Sequence, residues 1–345
     1  MRLQLIYPGP THSTYDVAEG YQNAFEALGV DVARFLYHNH IRFYQEALKH
    51  WETDGPVPYV YDQGMPFALA AERAALQTID FKPDAVLIVA GAAFHPRGYE
   101  LLKRLGVPIL VICTESPYND RMQNELITGA GIKMVTVNDL ASVAPTHDIT
   151  GADVAYLPYS YDPARHYPDD GPRNGPRVFF HGTLWDAREE LLGGLRDIPG
   201  ARISGFTPGQ HVTEREIIPN SAMAELYRRS TICVNNHRVE KDGPGDFIEE
   251  DSAYSLGPRA FEIAACGGFQ ISDYRAELAE VFGDSVPVYR GARQLRELVL
   301  YYLEHAEERE ALRLRQLAAV QSCTFESRAR NILLPFIAEV LKRGV

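Results

Sequence analysis

Short apolar runs alternate with amphipathic stretches from the first residues onward. RLQLIY (2–7), VDVARFL (30–36), DAVLIVA (84–90), VPILVIC (107–113), KMVTV (133–137) and DVAYLP (153–158) are almost continuously apolar, as strands buried on both faces must be. Segments 14–28, 66–78, 97–105 and 119–129 lie between them and carry apolar residues at helical spacing. This alternation predicts parallel strands joined by crossover helices, the α/β layer class.

The pattern lapses at 159–176, YSYDPARHYPDDGPRNGP, which has four prolines and no hydrophobic period and reads as a linker. It then resumes. RVFFHG (177–182), ARISGF (201–206), TICVN (231–235), GFQISD (268–273) and SVPVY (285–289) predict strands, with helices near 186–196, 221–229, 257–266 and 275–282. From about 292 the chain is helical, and its last piece is an amphipathic helix expected to break at Pro335. The expected organisation is a Rossmann-like domain over 1–160, a linker over 161–176 and a second Rossmann-like domain over 177–324. The helix at about 325–345 is expected to pack back on the first domain. Two such doubly wound domains are expected to face one cleft, because open parallel sheets bind ligands at the carboxyl ends of their strands.

Composition narrows the classes. At 46% hydrophobic and 23% charged residues the chain is an ordinary folding sequence. Thirty-four Lys and Arg against 46 Asp and Glu leave a formal charge of −12, which disfavours a nucleic-acid partner without excluding a local basic groove. The four cysteines lie far apart without a CxxC pair and read as buried thiols, not as disulfides or a zinc site. No uncharged run approaches the roughly 18–20 residues of a membrane span, and MRLQLIYPGP lacks a signal-peptide core, so a cytoplasmic protein is expected.

Candidate chemistry sits where predicted strands end. The first strand runs into Tyr7-Pro8-Gly9-Pro10-Thr11-His12-Ser13-Thr14, a turn whose N–H groups can meet an anion or whose hydroxyls simply cap the helix; it is not GxGxxG. Glu115 follows the strand at 107–113 and His95 follows the strand at 84–90. With His12 they are the candidate catalytic groups, since a carboxylate desolvated at a strand end is suited to proton transfer; pairing of Glu115 with a base, or a merely superficial His95, is the alternative. In the second half, Gly182 and Thr183 end a strand and Arg188 follows, a set that can hold a diphosphate; Asp186 as a cap with Arg188 in solvent is the plainer choice. Asn236 and His237 add polar groups at the same edge. Gly257, Arg259 and Glu262 belong to a helix near 257–266 with Pro258 early in it and Gly267-Gly268 after it. There they meet either a nucleotide or only each other, as an i,i+3 pair contributing about 0.2–0.5 kcal/mol. The acidic segment 239–254 reads as a mobile loop over the cleft or as an insertion without function.

The block PRAFEIAACGGFQISD, with VPVY and LRELVLYYLEHAEERE after it, resembles the C-terminal domain of GT-B glycosyltransferases, most closely the CgeB-like, spore-maturation-protein branch of the group 1 transferases. VAYLPYSYDPARHYP and VFFHGTLWDAREELL are similar to that superfamily's inter-domain and domain-opening stretches, so the resemblance covers about 158–330 in order. It implies a sugar moved from a nucleoside-diphosphate sugar, a UDP-sugar foremost, to an acceptor on the first domain, with retention. Glu262 falls on the family's ribose-binding glutamate, and the start of its helix on the diphosphate. The family's additional glutamate eight residues earlier is here Tyr254. A DxD carboxylate pair is lacking outside the linker, where Asp169-Asp170 sits, so catalysis without metal or other cofactor is expected, with charge on the leaving group stabilised by preorganised cations and N–H groups. Among acceptors a saccharide ranks above DNA. The alternatives are a nucleotide-sugar epimerase and a non-catalytic structural or binding protein.

Overall fold

The computed structural model describes residues 1–9, 14–54, 62–207, 218–238 and 253–343. It divides into two units: Met1–Leu157 with Glu326–Val345, and Pro158–Phe325. Each is a parallel sheet covered by helices.

The first sheet contains β1 (Arg2–Tyr7), β2 (Asp31–Leu36), β3 (Ala85–Val89), β4 (Ile109–Ile112), β5 (Met134–Val137) and β6 (Asp153–Tyr156), in the order β2-β1-β3-β4-β5-β6. The three strands β3, β4 and β5 are buried at every residue, whereas the edge strands β2 and β6 are largely half-buried. Position in the sheet explains which apolar runs are continuous. Fully buried Val86, Ile88, Leu102, Ile127 and Val135 belong to one core cluster, and burying each such side chain contributes roughly 1.5–3 kcal/mol. The crossover from β2 to β3 holds two helices, Tyr37–Asp54 and Met65–Phe81, of which the apolar pattern alone had marked the second. The first begins directly at the end of β2, so no turn residue separates strand from helix in the sequence.

The second sheet contains β7 (Val178–Thr183), β8 (Ala201–Phe206), β9 (Ile232–Asn235), β10 (Gln270–Asp273) and β11 (Val288–Tyr289), in the order β11-β10-β9-β7-β8. Its core gathers Val178, Phe180, Leu192, Ile232, Phe269, Ile271 and Leu295. β7 and β8 pair glycine to glycine at Gly182 and Gly205. A Cβ on Gly205 would stand 1.6 Å from the Gly182 carbonyl oxygen, so the close approach of these strands excludes any side chain there.

The segment 161–176 belongs to the second unit. Its first residue, Tyr161, bridges Thr324, with the Tyr161 N–H on the Cys323 carbonyl at 3.2 Å. Asp169 accepts from Arg229 at 2.6 and 2.8 Å. All four cysteines are buried free thiols. The final helix does not break at Pro335. A π turn, Ala329–Leu333, precedes Leu334–Lys342 and places the proline in a first turn, where its missing N–H is not needed. Ala329, Leu333, Ile337 and Val340 bury one stripe of this helix completely. Among the described residues no helix is long and apolar enough to cross a membrane.

Candidate functional site

The second sheet reverses its strand order between β7 and β9, and such a switch point is where open α/β sheets hold ligands. β7 and β9 pair only through Val178–Ile232 and Phe179–Cys233. Beyond those pairs come His181-Gly182-Thr183 on one side and Asn235-Asn236-His237 on the other, and a ring of side chains organises these ends.

Arg259 reaches them from the first turn of helix Pro258–Ala265. Its Nη2 donates to the His181 carbonyl at 2.8 Å, and its guanidinium carbon lies 5.0 Å from the centre of the Phe180 ring. A Cβ on Gly182 would come 2.8 Å from that Nη2, so the glycine makes room for the arginine. Glu262 lies one turn further along the helix. Among the described residues its carboxylate has no hydrogen-bond partner, and the Arg259–Glu262 ion pair within the helix is not formed. Burial raises the Glu262 pKa above the ordinary carboxylate value, against the pull of Arg259 and Arg165. A partly accessible carboxylate without internal donors is equipped to accept hydrogen bonds from hydroxyls.

Arg188 stands differently from its expected role as an open cation. It is 9% exposed, and its three nitrogens donate to the Thr183 carbonyl at 2.7 Å, the Asn236 side-chain oxygen at 2.8 Å and the Asn236 carbonyl at 3.1 Å. Strand-end carbonyls need donors, and Arg188 supplies them, bracing the two ends of the switch point. Asp186 lies in the first turn of helix Asp186–Gly193 but does not cap it; Trp185 holds that position without a side-chain bond.

His237 is clamped by Asp273 at the end of β10. The His237 N–H donates to both carboxylate oxygens at 3.1 and 3.0 Å, and Nδ1 lies 2.6 Å from Oδ1. Burial lowers the His237 pKa further than Asp273 raises it. Asp273 is held low despite burial, by its side-chain and backbone hydrogen bonds from His237 and by the Arg275 guanidinium. The pair is therefore a neutral imidazole giving its Nδ1–H to a carboxylate. The other ring edge faces Gly257, the N-cap of the helix: a Cβ there would lie 3.5 Å from Cδ2 and 3.9 Å from Nε2. Nε2 itself is buried and has no partner among the described residues. A cavity of about 250 Å³ opens beside the pair, lined among others by Trp185, Arg188, Asn236 and Tyr289.

The structure thus joins Gly182, Thr183, Arg188, Asn236, His237, Gly257, Arg259 and Glu262 in one neighbourhood. Asp273 was missed, although it carries the signal that singled out Glu115, a carboxylate at the carboxyl end of a buried strand. Tyr254, at the position of the absent glutamate, donates its hydroxyl to Glu280. Among the described residues no group of three or more His, Cys, Asp or Glu side chains is gathered as a metal would require.

In the first unit, His95 caps helix Pro96–Arg104, its Nδ1 accepting from the Arg97 N–H at 3.2 Å. The loop carrying Glu115 is pinned by Asn138, which accepts from the Ser116 N–H at 2.9 Å and donates to its carbonyl at 2.8 Å. His12 lies outside the described residues, as does 239–252, nearly all of the anticipated loop.

A family profile described as glycosyl transferase-like matches residues 177–334. Spore protein CgeB of Bacillus subtilis (strain 168) is 24% identical over 258 residues, 69% of this chain and 78% of that protein. Sucrose-phosphate synthase from Thermosynechococcus elongatus superposes with a TM-score of 0.63 at 12% identity, over 100% of both chains. An E. coli trehalose-6-phosphate protein bound with UDP-2-fluoro glucose does so at 0.54 and 11% identity, over 98% of this chain and 99% of its own. The switch-point cluster falls inside the segment that matches the glycosyl transferase-like profile, and the chain is similar to CgeB and built on the GT-B fold.

Proposed function

We propose that the protein moves a sugar from a nucleoside-diphosphate sugar, UDP-linked foremost, to an acceptor bound by the first unit, without a metal and with retention at the anomeric carbon. The observation that carries this reading is one short helix at the switch point. It presents an arginine outside any ion pair and a carboxylate without an internal donor, both counted among the described residues. Two such groups, left unpaired by each other, are matched to the two halves of a nucleotide's backbone. Arg259 and the N–H groups at the start of the helix face the diphosphate, and Glu262 accepts from the ribose hydroxyls.

As the anomeric bond breaks, the diphosphate gains negative charge, and removing one donor fixed for that charge typically costs about 10²–10³ in rate. Arg259 is fixed in this sense by the His181 carbonyl and the Phe180 ring. The similarity to a protein bound with UDP-2-fluoro glucose supports a UDP donor. A saccharide acceptor is favoured over DNA by the −12 charge. Glu115 and His95, in the loops after β4 and β3, are the proposed acceptor-side groups.

The test is a panel of nucleotide sugars scored for slow hydrolysis without acceptor, repeated with a chelator. Hydrolysis of one donor, preserved in chelator and lost in Arg259→Ala, is expected. Donor conversion to an epimer, or no binding of any nucleoside diphosphate at millimolar concentration, overturns the transferase reading; loss of turnover in chelator overturns metal independence.

A further inference from the structure

The His237–Asp273 pair has a property that a fixed structural brace does not need. Its only imidazole nitrogen not held by Asp273 is buried, unpartnered among the described residues, and turned toward Gly257 at the amino end of helix Pro258–Ala265. Among the described residues no side chain caps that helix. With Nδ1–H given to Asp273, Nε2 carries a lone pair. A lone pair repels an anionic oxygen; the same nitrogen attracts one only after it has taken a proton. An anion seated at the helix start must therefore bring the imidazole to its doubly protonated form or lose the contact.

Resting on the donor reading above, we propose that His237 and Asp273 form a proton-loading pair for the diphosphate: seating a diphosphate oxygen against Nε2 draws one proton from solvent onto the ring, and the proton leaves with the nucleoside diphosphate. The step balances as one proton taken from water or buffer on binding and one returned on release, with no other bond changed.

The surroundings are poised for this. Asp273 supplies a counter-charge at 2.6 Å, while Arg275 after β10 and Arg259 on the helix oppose a second positive charge until an anion offsets them. Arg188 is spent on Thr183 and Asn236, and Tyr289, whose hydroxyl donates to the Asn235 carbonyl, stays neutral because burial raises its pKa. Asp273 is thus the acidic group of the described residues bonded to the ring, and it makes the doubly protonated state reachable.

The experiment is calorimetric titration of UDP, with ADP and GDP in parallel, in two buffers of different ionisation enthalpy between pH 7.5 and 9. There a terminal phosphate, whose last pKa is near 6, is fully ionised. Wild-type protein is expected to take up about one proton per nucleotide, and its Kd to weaken by up to roughly tenfold per pH unit. His237→Gln is expected to take up none and to give a flat Kd; Asp273→Asn should also lower the proton count. A side chain that only packs would leave the count unchanged on substitution. Nucleotide binding without proton uptake by wild type, which requires no variant to fold, overturns this proposal and leaves the donor reading standing. Failure of all three nucleotides to bind overturns both.

Discussion

Replacing Gly182 by alanine separates what the strand end does for the fold from what it does for the ligand. The new Cβ would sit 2.8 Å from Arg259 Nη2 and 3.3 Å from the Phe180 ring. A relaxed contact needs roughly 0.6 Å more, and the group that gives way is the far end of a flexible side chain, so the fold loses little beyond that side chain's own hydrogen bond, about 1.5–3 kcal/mol. The same 0.6 Å lengthens the 2.8 Å bond from Nη2 to the His181 carbonyl beyond useful range. A charged hydrogen bond contributes about 1.5–3 kcal/mol, which at 1.4 kcal/mol per decade converts to a roughly 10- to 100-fold loss of nucleoside-diphosphate affinity once Arg259 is displaced. Gly205→Ala is the contrast, because its Cβ meets backbone at 1.6 Å, from which no side-chain motion offers relief. It should lose several kcal/mol and unfold at much lower urea. Urea midpoints and UDP titration calorimetry on both variants decide the matter. If Gly182→Ala binds UDP within twofold of wild type, or is as unstable as Gly205→Ala, the close fit between Gly182 and Arg259 has been misjudged.

Other substitutions probe the same chemistry. Glu262→Ala should bind donor about 10- to 100-fold more weakly yet melt no lower than wild type, since it removes a desolvated carboxylate without an internal partner; an unchanged affinity counts against the ribose role. His181 is held to a pKa of about 4 by burial first and then by Arg259 and Arg202. The unfolded chain therefore binds the proton more readily, and stability should be lost as pH falls from about 6.5 toward 4. His181→Asn should flatten that acid limb in urea titrations at pH 7 and pH 5; an equal slope in both proteins would show that other groups cause it. Asn138→Ala removes both bonds to Ser116 and should destabilise the first unit by about 1–3 kcal/mol, read as a lower Tm; a change of a few tenths would mean that the loop holds its shape by packing alone.

The strands were legible because β1, β3, β4 and β5 are buried on both faces and leave continuous apolar runs, which hydropathy records directly. Helix Tyr37–Asp54 was not, because it starts without a break at the end of β2 and no capping residue marks the change of period. That the switch-point residues lie near one another was legible for Gly182, Thr183, Asn236 and His237, which follow predicted strands, and for Gly257 and Arg259, which open a predicted helix. Their roles were not: whether Arg188 faces a ligand or the Thr183 and Asn236 carbonyls depends on pairings 5 and 48 residues away, which local sequence does not encode. Asp273 was hidden for the same reason, as its meaning comes from a histidine 36 residues earlier in the chain.

Because residues 326–345 group with Met1–Leu157, the second unit is an insertion in the sequence of the first. Its two exits are stitched side by side, Tyr161 against Thr324, with the Phe325 N–H on the Tyr161 carbonyl at 3.3 Å. Excising 158–325 therefore yields a fragment whose termini are neighbours, suited to head-to-tail cyclisation or to transplantation into the surface loop of an unrelated host.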